Sequence, residues 1–222
     1  VESRSRDQLV ELPAQLSTTA LLRLNADPEA FAAEVARPMP RQPSRSARFG
    51  TRFHHWVERY FGGRLPNVGL GQQQLLDLDD LPDRADSDTH DEQELRELCE
   101  AFAAGRFGGT VPYAIEAPFS IWIAGRLVRG RIDAIYRQSD PAAPEGVSFQ
   151  VVDWKTGRTD TADPLQLAIY RLAWAEAHGL QVEQIDAIFY HVRSDEIVRP
   201  TALPDRRAIE SILGDGQVER LP

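Results

Sequence analysis

The chain has 222 residues, enough for one elaborated domain with a real core, and no run approaches the roughly 18 apolar residues that a membrane span needs. Its single cysteine, Cys99, excludes an internal disulfide, a thiolate zinc site and a four-cysteine iron–sulfur cluster. A net charge of −9 has the wrong sign for binding nucleic acid by bulk electrostatics alone, yet it is unevenly spread. Residues 77–100 hold eleven carboxylates against Arg84 and Arg96, whereas Arg37, Arg41, Arg45, Arg48 and Arg52 form a strip with no acid among them. Of the 25 basic residues Lys155 is the one lysine. The opening Val-Glu-Ser-Arg has no secretory apolar run, so a cytoplasmic protein is expected. With Met39 as the sole methionine, the sequence reads as a piece of a longer polypeptide.

Residues 1–12 are polar and expected to be poorly ordered. Ser17 or Thr18 can cap a helix through Leu21, Leu22 and Leu24, and Asp27-Pro28 can begin a second helical segment through Phe31 and Val35. Pro38, Pro40 and Pro43 enforce an extended linker. The spacing of Phe53, Trp56, Val57 and Tyr60 predicts a helix from about Arg48 to Phe61, stopped at Gly62-Gly63. Residues 77–90 read as an acidic loop, followed by a helix from about Asp91 to Ala104. Three strand-like runs, Tyr113–Ile123, Leu127–Tyr136 and Val147–Trp154, are separated by Ala124-Gly125 and by the turn-forming stretch 140–144, which suggests an antiparallel meander. Asp163-Pro164 then opens a long helix ended by Gly179, and Ile185–Val192 reads as a further strand. No internal repeat interrupts this order.

Strand alternation places Val128, Ile132 and Ala134 on one face of the second run, and Arg129, Arg131 and Asp133 on the other. The third run is apolar on both faces, as a buried central strand would be, but ends in Asp153-Trp154-Lys155. Asp153 and Lys155 therefore share a face, with Cα atoms roughly 6.5–7 Å apart. A hydrolase of phosphodiesters needs fixed positive charge where negative charge develops, and carboxylates gripping a divalent ion beside an ammonium supply it. The plainer alternatives are a strand-end carboxylate for Asp133 and a surface ion pair for Asp153 and Lys155. A lone helical histidine such as His54 is, by itself, more often core or surface than ligand.

Four elements in this order, Gly50-x-x-x-His54-x-x-x-Glu58, Gly130-x-x-Asp133, Asp153-x-Lys155 and Gln166-x-x-x-Tyr170, make the sequence resemble the RecB-type branch of the PD-(D/E)XK nucleases. Ser17 to Leu24 and Asp27-Pro28 resemble, within it, the C-terminal nuclease module of the AdnAB helicase–nuclease B subunit, in its cluster-free branch. The resemblance implies an α/β restriction-endonuclease-like core over about residues 48–192, with extra N-terminal helices, inside a single nuclease domain of residues 1–222. It implies that His54, Asp133 and Asp153 hold magnesium or manganese with no iron–sulfur cluster, and that Lys155, Asp153 and Asp133 carry the catalysis. Glu58, Gln166, Tyr170 and, last in rank, Glu116 would support the site; a packing role for Tyr170 and a helix-surface ion pair for Glu58 are the alternatives. Arg45, Arg48 and Arg52 are candidate phosphate contacts, solvated linker arginines being the other reading. The implied partners are single-stranded DNA or duplex ends, a helicase motor in the same polypeptide and a second helicase–nuclease subunit, with no membrane. The competing function is a catalytically inactive nuclease fold kept as a DNA-binding or assembly module.

Overall fold

In the computed structural model, which describes residues 8–39, 42–62, 89–138, 146–157, 162–214 and 216–220, short strands β1 (Gln8–Glu11) and β2 (Gln15–Ser17) precede two helices. The Ser17 side chain accepts from the Ala20 N–H to start α1 (Thr18–Ala26), and Asp27 accepts from Ala30 to start α2 (Pro28–Ala36), with Pro28 in its first turn. Ser44 caps α3 (Arg45–Phe61), one turn earlier than the apolar stripe suggests. Next come α4 (Thr89–Ala104), β3 (Ala114–Ile123), β4 (Arg126–Arg137) and β5 (Phe149–Lys155). Capped by Asp163 and closed by Gly179 in a left-handed conformation, α5 (Pro164–His178) leads to β6 (Ile185–His191) and β7 (Glu196–Val198). The chain ends in α6 (Arg206–Leu213) and β8 (Gln217–Arg220).

The expected helix, antiparallel meander, helix, strand order is present. β3 pairs antiparallel with β4 and β4 with β5; α5 crosses over so that β6 lies parallel to β5, and β7 extends that edge. β2 runs parallel to β4, against the end that β5 leaves free. One correction concerns the start of the chain: residues 8–11 form β1, paired antiparallel with β8, and Leu12 is buried. A four-residue strand has little local signal, and its partner lies at the far end of the sequence. The acidic stretch read as a loop falls, up to residue 88, outside the described residues; Thr89 and His90 already belong to α4.

The two sheet faces bury different helices. Val152, Trp154, Ile188 and Tyr190 pack against Phe53, Val57 and Phe61 of α3 and against Leu98 and Phe102 of α4. Val151, Ala187 and Phe189 pack against Leu167, Tyr170 and Trp174 of α5, the helix with the most buried surroundings. Beyond β4, α1 and α6 close a third cluster on α5 through Leu21, Leu24, Ile209 and Leu213. Both faces of β5 are thus covered by helices, which is why its sequence is apolar on both faces.

A candidate metal-dependent active site

The β3–β4 hairpin turns at Ala124-Gly125, both with positive φ as a two-residue hairpin connection requires. Counting back from it sets Glu116 opposite Asp133. The ladder is interrupted there: pairing runs through Ala117 with Ile132 and resumes at Ile115 with Ala134, while Glu116 sits at φ +46. Side-chain phase slips at this point. Ile132 and Ile135 both join the α5-side cluster, whereas Ala134 joins the α3–α4 side. The simple alternation expected for β4 therefore fails beyond Ile132, and Asp133 lies at the switch between faces. A non-glycine residue in this backbone region costs on the order of 1–3 kcal/mol, so the surroundings must hold it there.

What holds Glu116 is His54. From α3, Nδ1 of His54 lies 2.7 Å from Glu116 Oε1, and its Nε2 is 3.8 Å from Asp133 Oδ2. One ligand atom from each of His54, Glu116 and Asp133 lies within 4.8 Å of the others. Asp133 also accepts the Trp154 N–H at 2.9 Å, so its carboxylate takes the place of a ladder carbonyl where β4 and β5 diverge. Burial works against the charged form of His54, but Asp133, Glu116 and Asp153 outweigh it and raise the imidazole to about 9. Burial, together with the neighbouring Asp153 and Glu116 charges, pushes Asp133 up to about 8 against the opposing pull of His54.

On the α5 side, Lys155 Nζ stands 2.7 Å from Asp153 Oδ2 and donates to Gln166 Oε1 at 3.0 Å, over the face of Phe189. Gln166 Nε2 donates in turn to the Tyr170 hydroxyl at 3.0 Å. Burial and then the Asp133 and Asp153 charges drive that phenol well above its usual range, so Tyr170 is a neutral hydroxyl beside the acids as well as a packing residue under Phe119. Asp133 and Asp153 are the only buried carboxylates among the described residues, 8% and 2% exposed. Asp153 Oδ2 touches Lys155 without a well-directed hydrogen bond. Two carboxylates and an imidazole within 4.8 Å of one another fit a hard divalent cation with oxygen ligands and one nitrogen, and the buried Asp153, outside that trio, is near enough for its charge to act on both His54 and Asp133.

The sequence-derived site residues thus fall into groups. Asp133, Asp153, Lys155, Gln166, Tyr170 and His54 converge at one end of the sheet. Glu116, ranked last from sequence, is the carboxylate on His54. Glu58 is instead half exposed, 3.6 Å from His55 Nδ1, in the helix-surface position that was its alternative. Arg45 and Arg52 reach across to Asp91 and Glu92 of α4, and Arg48 donates to the Pro43 carbonyl. The strip is therefore partly neutralised by the acids in the first turn of α4. A second ligand cluster, His90, Asp91 and Glu94, lies on that exposed side, with two of its members already tied to arginines.

A meander with its carboxylate at a broken ladder, a following strand ending in Asp-x-Lys, and a crossover helix presenting Gln and Tyr define the restriction-endonuclease-like class of nuclease folds. The chain belongs to the PD-(D/E)XK nuclease superfamily, whose family model matches residues 15–219. Among solved structures it is similar to a candidate exonuclease from Eubacterium rectale, with a TM-score of 0.52 at 10% identity, covering 90% of this chain and 76% of that one. A comparison with curated protein sequences gave no significant match.

Proposed function

We propose that the chain is a divalent-metal-dependent deoxyribonuclease of the RecB type, forming the single nuclease domain of a cytoplasmic DNA-repair helicase–nuclease. The observation that carries the chemical part is the convergence of His54, Glu116 and Asp133 with the Asp153–Lys155 pair at one sheet end. His54, Asp133 and Asp153, with Glu116 beside them, would hold magnesium or manganese; when bound, the ion supplies charge to polarise a phosphodiester oxygen and acidify an attacking water. Glu116 fixes the imidazole through Nδ1, which leaves Nε2 turned to Asp133. Lys155 presents a compact ammonium to the phosphate as charge develops, and Gln166 and Tyr170 hold that ammonium in place. The helicase–nuclease setting, with a motor elsewhere in the polypeptide and a second subunit, rests on the likeness of residues 17–28 to the AdnAB module. Release of labelled nucleotides from single-stranded DNA, dependent on magnesium or manganese and stopped by EDTA, tests the reading; cutting that persists in excess chelator overturns it.

A further inference from the structure

We propose that the exposed face of the β3–β4 hairpin is a track for single-stranded DNA, with Trp122 as a base-stacking platform and Arg129 and Arg131 as phosphate contacts leading to Asp133. The proposal rests on the nuclease reading for the identity of the strand.

Register sets Pro118 opposite Arg131, Ser120 opposite Arg129 and Trp122 opposite Leu127, with all six side chains on one face. Five are exposed and Leu127 is half-buried, while the opposite face buries Ala117, Ile121, Ile123, Val128 and Ile132 against α1, α5 and α6. This part of the hairpin is clothed on one side only. Trp122 is 61% exposed on the bare side, so its indole face is open to a stacking partner. Arg129 and Arg131 have no carboxylate partner among the described residues, whereas Arg23, Arg45, Arg52, Arg193 and Arg199 each have one. In a chain with 34 acids, two unpaired arginines two positions apart on an open strand form a surface complementary to phosphate.

The strip is continuous with the site. From Arg129 to Arg131 to Asp133 are two-residue steps of roughly 7 Å each along β4, comparable to the spacing of successive phosphates in an extended strand. Serine hydroxyls flank Arg129 on both sides, Ser120 on β3 and Ser17 on β2. An aromatic beside arginines on a flat surface recognises unpaired bases and their backbone with little regard to sequence. Stacking on Trp122 needs a base already out of a duplex, so the surface selects a single strand.

The test is anisotropy of a labelled oligothymidylate in EDTA, so that binding is read without cleavage. Arg129→Gln/Arg131→Gln should bind about tenfold more weakly at low salt, with the plot of log affinity against log salt shallower by about 1.4, the value for two lost single-strand phosphate contacts. Trp122→Ala should lose about tenfold on the single strand, little on the blunt duplex, and recover most of the loss as Trp122→Phe. Arg23→Gln/Arg199→Gln, an equal change of net charge at paired positions, should match the unsubstituted chain. Equal losses in both double variants, an unchanged salt slope in the first, or no binding by the unsubstituted chain overturns the track. A chain that binds through these residues but cuts nothing in magnesium or manganese upholds the track and sinks the nuclease reading; one that cuts and ignores the three substitutions does the reverse.

Discussion

Glu116→Gln removes one charge from the site while keeping the side chain's length, and its effect on His54 can be worked from the contact it breaks. The 2.7 Å bond joins partners only 23% and 13% exposed, so it is a charge-assisted hydrogen bond with limited solvent screening. Such a bond contributes about 1.5–3 kcal/mol. At about 1.4 kcal/mol per pKa unit, its loss brings His54 down from about 9 by one to two units, toward the ordinary imidazole range. Asp133 remains to hold part of the shift. The assay is a pH titration of the imidazole nitrogens by NMR in EDTA, with the His54 signal assigned from its absence in His54→Gln. Manganese affinity, measured by calorimetry at fixed pH, should fall by about 10–100-fold, the usual effect of removing a carboxylate that orients a metal-binding histidine. A Glu116→Gln protein whose His54 titrates where it does in the unsubstituted chain would refute the reasoning, because Glu116 would then be a bystander.

Lys155→Met should fold and bind manganese, yet lose on the order of 10²–10³ in single-turnover rate, and partial acetylation should reduce activity in proportion to the Lys155 modified; full activity in either returns Lys155 to a plain ion-pair role. Gly130→Ala places a methyl 2.5 Å from Thr18 Oγ1 and 2.8 Å from the Phe119 ring, so thermal unfolding should show a loss of about 1–3 kcal/mol; an unchanged melting temperature means that α1 does not press on the hairpin as described. Both His54 and Asp133 have folded-state pKa values raised above their unfolded ones, so each stabilises the metal-free fold most at low pH and that contribution is lost as pH rises. For Asp133 the window runs from 3.8 to about 8, and for His54 from 6.5 to about 9. Denaturant titrations in EDTA should therefore show stability falling between about pH 6.5 and 9, less so in His54→Gln, and a rise over that window contradicts the shifts. Anomalous diffraction from manganese-soaked crystals should place the ion among His54, Asp133 and Asp153; a peak confined to His90, Asp91 and Glu94 moves the metal site elsewhere.

The long elements were legible because their signals are local. Asp163, Gly179 and the apolar run between them specify α5 without reference to the rest of the chain, and the Ser17 and Asp27 caps do the same for α1 and α2. Asp133, Asp153 and Lys155 could be read together because strand alternation sets them on polar faces of successive strands, whereas Gln166 was implied only by the resemblance to the RecB-type nucleases. Glu116 was within reach of the same logic, since counting from the Ala124-Gly125 turn sets it opposite Asp133. Its importance depends on a positive φ and a phase slip that side-chain alternation does not reveal. The role of Arg45 and Arg52 depends on α4 folding back across α3, a contact between segments about 40 residues apart. β1 with β8, and β2 beside β4, exist through pairing over more than a hundred residues, so three- and four-residue strands left no periodic trace.

Single-turnover cleavage of end-labelled single-stranded DNA by Asp133→Asn and Asp153→Asn, in saturating manganese and with folding checked by circular dichroism, tests the site most directly. Each change keeps the side chain's shape and removes one of the two buried carboxylates. Either substitution should lower the rate by at least about 10²–10³ in a folded protein. Cleavage by folded Asp153→Asn at the unsubstituted rate would contradict it and place the chemistry outside the sheet end where these residues meet.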